Sequence, residues 1–293
     1  MSTWAVCNQK GGVGKTTTAI SVASLLAEKG RRTLLIDLDP HASASVYLAG
    51  PEEDGAAEGV MRWFSAELDG SAGRLGSAGF AAVCEETAHP NLALARATPA
   101  LAALERRAAG REGFGRVLAA VIARLDDRFD DVIIDCPPTL GLLMINALAA
   151  AERVLIPVQT EHLALEGLKR MLHTLEMVER SQRRRIPRVV IPTLYDRRTR
   201  ASLLALEQLR AEHPSVLWPE PVPVDTRLRD AARAGVPAPL YDPAGRAVGV
   251  YRRLLDRLIG ATGSVRIDAA PQPASDACPR PVPAEPPAVG ARS

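Results

Sequence analysis

Asn8-Gln9-Lys10-Gly11-Gly12-Val13-Gly14-Lys15-Thr16-Thr17-Thr18 is the stretch on which the fold turns. A short apolar run, Thr3–Cys7, leads into it, and a helical pattern follows to about Lys29. Gly11, Gly12 and Gly14 let successive backbone N–H groups, those of Val13 and Thr17 among them, converge on phosphate oxygens. The start of the helix adds its partial positive charge. Lys15 is placed to reach β and γ phosphates, and the Thr16 hydroxyl to bind Mg²⁺. The strict phosphate-loop pattern requires glycine at position 9, where Gln9 stands, and a second lysine, Lys10, sits at the loop entrance. A glycine-rich turn that binds nothing would not need strand, glycines, lysine, threonine and helix to agree.

Two carboxylate motifs extend this reading. The apolar run Thr33–Leu38 leads into Asp37-Leu38-Asp39-Pro40, and Val132–Asp135 ends in Asp135-Cys136-Pro137-Pro138. In a parallel sheet both motifs lie at carboxyl ends of strands, beside the phosphate loop, where ligands bind. Asp135 is then a candidate to hold Mg²⁺ through water, and Asp39 to orient or activate an attacking water. Capping of the following helices is the blander role for the same residues.

With Val154–Val158 and Val189–Pro192, these runs make five candidate strands, each short and rich in Val, Ile or Leu, as strands buried on both faces are. Leu165, Leu168, Leu172 and Leu175 put an apolar stripe on a helix from about Glu161 to Glu179. Strands alternating with helices predict an α/β fold, a mostly parallel sheet with helices on both faces. Residues 50–112 read as an irregular surface excursion, with a helix around Val60–Leu68 and strands near Ala81 and Asn91. The folded domain is expected to span residues 1–260. Residues 261–293 carry seven of the 23 prolines and few large apolar residues, and are expected to be disordered.

Composition bounds the remaining choices. Hydrophobic residues make up 47% and charged residues 24% of the 293, which excludes a wholly disordered chain. No apolar run reaches the roughly 18 residues of a membrane span, and the start has no basic leader pattern. Cys7, Cys84, Cys136 and Cys278 form no CxxC pair, which fits a reducing cytoplasm rather than a disulfide framework or zinc site. His41, His89, His162, His173 and His213 make no ligand-spaced cluster. Only four of the 36 basic residues are lysine, and two of these are Lys10 and Lys15. Where arginine has replaced lysine almost everywhere, a retained lysine points to a need for its compact point charge.

KGGVGKTTT at 10–18, DLDP at 37–40, DCPP at 135–138, PVQTEHLALEGL at 157–168 and IPTLYDRRT at 191–199 together resemble the ParA/MinD family of deviant Walker ATPases. They occur in the family's order across residues 1 to about 260, and the ParA (Soj-like) branch looks closest. The resemblance implies a Mg²⁺-dependent ATPase forming a nucleotide-sandwich homodimer. In it Lys10 would cross to the partner's ATP, Lys15 would bind phosphate and Asp39 would be needed for hydrolysis. Thr16 and Asp135 would serve the magnesium. Val222-Pro223-Val224-Asp225 resembles the adenine-contacting segment, which makes Pro223 and Asp225 candidates. His41 stands where the family commonly has Gln. Asp-Pro-His-Ala-Ser at 39–43 and the segments at 196–202 and 223–230 look like a subgroup associated with chemotaxis gene clusters, whose cargo is chemoreceptor arrays rather than chromosomes or plasmids.

The net charge of +2 excludes a whole-protein field strong enough to bind nucleic acid, so a local patch must do so. Residues 169–200 hold ten basic against three acidic residues. The resemblance implicates Arg198 and Arg227 in DNA binding; Arg200, Arg229, Arg233 and Arg183-Arg184-Arg185 are candidates for further phosphate contacts. Such binding would be non-specific and salt-sensitive. The expected location is the cytoplasm, on the nucleoid, with a stimulating partner or cargo adaptor. Prolines between 271 and 287 exclude a long C-terminal amphipathic helix, so direct membrane attachment is not expected. A small-molecule ligase or kinase on the same nucleotide fold is the alternative, disfavoured by Lys10.

Overall fold

The computed structural model describes residues 1–50, 59–108, 110–111, 113–125 and 127–260. The Pro-rich segment 261–293 and the acidic stretch at 52–54 lie outside the described residues.

The chain runs β1 (Ser2–Val6), α1 (Lys15–Glu28), β2 (Thr33–Asp37), α2 (Ser43–Ala49), α3 (Met61–Leu68), α4 (Ala72–Ala81), β3 (Cys84–Glu86), β4 (Leu92–Ala95) and α5 (Ala100–Ala108). A 3₁₀ turn, Phe114–Arg116, then leads to α6 (Val117–Ala123), β5 (Asp131–Asp135), α7 (Leu142–Ala150), β6 (Arg153–Gln159), α8 (His162–Gln182) and β7 (Arg188–Thr193). Four helices close it: α9 (Arg200–Glu212), α10 (Thr226–Ala234), α11 (Ala238–Tyr241) and α12 (Arg246–Gly260).

The seven strands form one sheet in the order β3-β4-β2-β5-β1-β6-β7. Every pairing is parallel except β3 with β4. All five predicted strands are present, within a residue or two of their expected ends. Successive side chains of a strand face opposite sides of the sheet, and here both sides are covered. Ala5, Leu34, Ile36, Val132, Ile134 and Ile156 pack into one core with α5 to α8. Trp4, Val6, Leu35, Ile133, Leu155 and Ile191 pack into the other with α1 and α12. Burial on both faces is why these strands read as unbroken apolar runs rather than alternating ones.

The described part of residues 50–112 is not a surface excursion. Trp63, Phe64, Phe80, Leu101 and Leu104 are buried in the first core, and the Trp63 indole N–H donates to the Phe80 carbonyl at 3.0 Å. The glycines at 70–79 argue for loop, yet α4 runs through this region, broken only at Gly76 (φ 59°, ψ 174°). The strands expected near Ala81 and Asn91 lie a few residues later, at Cys84–Glu86 and Leu92–Ala95. Among the described residues no helix is long and apolar enough to cross a membrane.

Topology fixes the site. Strand β1 lies between β5 and β6, so the loop leaving it has the end of β5 on one side and the end of β6 on the other. Asp37 and Asp135 are direct register partners at the carboxyl ends of β2 and β5.

Candidate nucleotide site

The loop from Asn8 to Gly14 is shaped by backbone that only glycine adopts readily. Gly12 (φ +73°) and Gly14 (φ +85°) are left-handed, and a Cβ at either would meet nothing within 4 Å. The requirement is therefore conformational, not steric. Gly14 is the N-cap of α1, so the helix N-terminus opens directly into the loop.

Hydrogen bonds to three distant elements pin the loop. Asn8 Nδ2 donates to the Pro157 carbonyl of β6 at 2.8 Å, while Asn8 Oδ1 accepts from the Lys10 amide at 3.1 Å. Gln9 Nε2 donates to Thr174 Oγ1 of α8 at 2.7 Å. Thr193 Oγ1, at the end of β7, donates to the Val13 carbonyl at 2.8 Å. The contact of Gln9 with α8 explains why position 9 holds a long polar side chain where the strict pattern has glycine. Lys15 is buried, with Nζ 3.2 Å from the Lys10 carbonyl, and the Lys10 ammonium pairs with Glu161.

Three carboxylates converge beside the loop. Asp37 is fully buried and organises the turn after β2: its Oδ1 accepts from the Asp39 amide at 3.0 Å, and its Oδ2 from the Ser45 amide at 2.9 Å and hydroxyl at 2.8 Å. Asp39, nearly buried, accepts from the His41 amide at 3.0 Å. Asp135 is fully buried, and neither of its carboxylate oxygens has a hydrogen-bond partner. Burial, then the nearby Asp37 charge, push its pKa well above the ordinary value, with Thr16 and Lys15 pulling the other way. Burial above all raises Asp37 from 3.8 to about 6, against its hydrogen bonds. A buried carboxylate with no partner is costly unless a cation completes it. The residues therefore fit Mg²⁺, which takes one or two protein oxygens and leaves the rest of its shell to water and phosphate. No group of three or more His, Cys, Asp or Glu able to hold a metal occurs among the described residues. Asp37 was not singled out from sequence; its register with Asp135 is what marks it.

A cleft of about 640 Å³ opens over the loop, within the usual range for a small-molecule site. It is lined by Gly11, Gly12, Gly14, Lys15, Thr16 and Thr17 on one side, Asp39 and His41 on another, and Pro223, Val224 and Asp225 opposite. Pro223 and Asp225, for which the resemblance implies an adenine contact, are among the residues lining this cleft. Asp225 also has structural work: it caps α10 through the Arg227 amide at 3.1 Å and accepts from the Ala247 amide at 3.4 Å.

The basic residues are dispersed. Arg183, Arg184 and Arg185 precede β7, whereas Arg197, Arg198 and Arg200 follow it, so roughly 20 Å of strand separates them. Residues 169–200 therefore do not form one patch. Arg184 donates to the Ala151 carbonyl at 2.7 Å and Arg185 to Glu179 at 3.2 Å, both at the sheet end away from the cleft. Arg198, Arg200 and Arg227 are exposed near the cleft, and Arg198 makes a bidentate pair with Asp196 at 2.9 and 2.8 Å. Arg229, a candidate for phosphate contacts, is exposed and also lines the cleft.

Residues 1–187 match the family described as an AAA domain. The sporulation initiation inhibitor protein Soj of Bacillus subtilis is 35% identical over 248 residues, covering 84% of this chain and 94% of that protein. The chain belongs to the ParA/Soj family. A solved structure named as cobyrinic acid a,c-diamide synthase from Mycobacterium smegmatis, with a bound ATP analogue and magnesium, is 32% identical with a TM-score of 0.72, covering 88% of this chain and 94% of that one. Cyanothece McdA, solved as an ATP complex of an Asp-to-Ala variant, shares the fold at a TM-score of 0.77 and 22% identity, over 90% of this chain and 98% of that one.

Proposed function

We propose that this chain is a partitioning ATPase, a Mg²⁺-dependent hydrolase of ATP that works as a spatial switch. The observation that carries the reading is the unpartnered Asp135 carboxylate beside Thr16 and Lys15, at the mouth of a loop built for phosphate. Loop amides and Lys15 would bind the β and γ phosphates. The Thr16 hydroxyl and Asp135, the latter through water, would hold Mg²⁺, which supplies charge neutralisation between the phosphates. Asp39 is held by Asp37 and His41 with a carboxylate oxygen at the cleft, where it would orient the attacking water. Pro223 and Asp225 would border the adenine.

ATP would join two subunits, with Lys10 of each reaching the other's nucleotide. Loss of the γ-phosphate contacts would release them, as in other nucleotide switches. The dimer would bind DNA non-specifically through Arg198, Arg200 and Arg227, all beside the cleft and so sensitive to dimer state. Chromosomes are the cargo class suggested by the names of the Myxococcus xanthus and Thermus thermophilus relatives, a chromosome partitioning protein and a chromosome-partitioning ATPase, 35% and 36% identical to this chain; the family resemblance adds plasmids, and the local likeness to the chemotaxis-associated subgroup adds chemoreceptor arrays. A partner or adaptor would stimulate slow intrinsic turnover, and the cytoplasmic nucleoid would be the working place. The folded ATPase unit would end at about residue 260.

The test is Asp39→Ala, with ATP turnover and dimer formation measured together. Expected are ATP binding retained, turnover lost and a persistent dimer; normal turnover would overturn the role of Asp39. The second reading, an ATP-dependent ligase, is favoured by the name of the Mycobacterium smegmatis relative. It requires hydrolysis that depends on a metabolite acceptor and is indifferent to DNA and to dimer formation. Turnover measured with DNA alone and with acceptor alone separates the two.

A further inference from the structure

Lys10 is not free in the single chain. Its ammonium is paired with Glu161, the N-cap of α8. Glu161 contributes no side-chain cap to that helix, and glutamate is not among the usual N-cap residues. Its side chain is instead committed to the lysine. The rest of the loop entrance lies flat on the same helix: a Cβ built on Gly167 would stand 3.5 Å from Lys10 Cβ and 3.7 Å from Asn8 Oδ1. Gln9 is tied to Thr174, one and a half to two turns further along. Helix α8 thus provides a seat for the Lys10 stem and a counter-charge for its head.

We propose that Glu161 is a positioning residue, which keeps Lys10 on its own subunit until the phosphates of a second subunit's ATP displace it. The inference rests on the reading that Lys10 crosses the dimer interface. A single carboxylate is a weaker counter-charge than a triphosphate, so ATP on the partner can win the lysine. A diphosphate offers less charge and competes poorly. Glu161 therefore raises the threshold for dimerisation and sharpens the distinction between ATP and ADP. The side chains are 25% and 38% exposed, and an ion pair of that exposure shifts an equilibrium by about two- to five-fold. Two lysines are released per dimer, so the factors multiply to roughly four- to twenty-five-fold.

The experiment is sedimentation equilibrium of the full chain with Mg²⁺ and either ADP or a non-hydrolysable imido analogue of ATP. Wild type, Glu161→Gln, Glu161→Asp, Lys10→Ala and Lys10→Ala/Glu161→Gln are compared. Glu161→Gln should tighten the analogue-bound dimer by that factor and bring measurable dimer with ADP. Glu161→Asp should fall between it and wild type. Lys10→Ala should be monomeric, and the double variant the same. Unchanged or weakened dimerisation of Glu161→Gln, with Lys10→Ala monomeric, overturns the role of Glu161 alone. A Lys10→Ala chain that dimerises like wild type overturns the crossing of Lys10 and the proposal with it. Tight analogue binding by Glu161→Gln monomers excludes misfolding as the cause of any loss.

Discussion

At the scale of the residue, Asp135 and Asp37 make the nucleotide-free chain pH-sensitive in a direction opposite to ordinary acid denaturation. Burial raises the folded pKa of Asp37 from 3.8 to about 6, and Asp135 moves the same way. The folded state therefore binds more protons than the unfolded state across that window. The stability these groups contribute is full below the unfolded pKa and is lost as pH rises through the folded one. Warming curves without nucleotide should show the Asp37 contribution falling between about pH 4 and pH 6. Asp135→Asn should flatten the slope and raise the nucleotide-free melting temperature near neutral pH. Relief of an unpartnered buried charge, about 1–3 kcal/mol, corresponds to roughly 2–10 °C for a domain of this size. The same variant should lose the Mg²⁺-dependent part of ATP stabilisation. Equal pH slopes for the two chains would remove Asp135 as the source.

The residue scale also shows what a sequence exposes and what it hides. Lys15, Thr16, Asp39 and Asp135 were legible because each belongs to a local pattern tied to a strand end. Asn8, Gln9 and Glu161 were not, because their meaning lies in partners 149, 165 and 151 residues away. No periodicity or spacing encodes such contacts; only the order of strands in the sheet does.

At the scale of the element, the end of α8 and the start of β7 are joined by Glu179. This carboxylate is 5% exposed, accepts from the Ile186 amide at 2.6 Å, and pairs with Arg188 at 2.5 Å and Arg185 at 3.2 Å. Burial opposes its charge, but Ile186 and Arg188 outweigh burial and hold its pKa below the ordinary value. Its contribution is thus present at neutral pH and lost as pH falls through the acid range. Glu179→Ala leaves Arg188, itself largely buried, without its counter-charge, and urea unfolding should show a loss of about 3 kcal/mol. Glu179→Gln keeps an acceptor for the Ile186 amide and should lose less. Both should bind ATP normally, since this joint lies at the sheet end away from the cleft. The arginine run at 183–185 suggests phosphate contacts from charge alone. Within it Arg184 donates to the Ala151 carbonyl, while Arg185, 88% exposed, also pairs with Glu179, and a run of like charges cannot declare that one of its partners is a buried glutamate in the preceding helix. Helix α4 was obscured for another reason: glycine lowers helix propensity by about 1 kcal/mol each, and α4 contains three, but burial of Phe80 overrides it.

At the scale of the whole molecule, DNA binding has to come from few charges, because the chain's net charge is only +2. Arg198 is the informative case. It stands beside the cleft with its side chain 82% exposed, yet Asp196 holds both arms of its guanidinium. That pairing brings Asp196 down to about 2, so the carboxylate stays charged throughout the physiological range and competes with a DNA phosphate. Asp196→Asn should therefore tighten binding of the ATP-state dimer to random-sequence duplex. Arg198→Ala and Arg227→Ala should weaken it without changing ATP affinity. Each arginine occurs twice in a dimer, so each loss should reduce the magnitude of the slope of log affinity against log salt by about two. Arg229→Ala, whose side chain lines the cleft, should alter nucleotide affinity and leave the salt slope alone. Fluorescence anisotropy across a salt series reads all four variants. A slope unchanged by Arg198→Ala and Arg227→Ala together would move the DNA interface off this face of the molecule, and with it the coupling of DNA binding to the nucleotide-bound dimer.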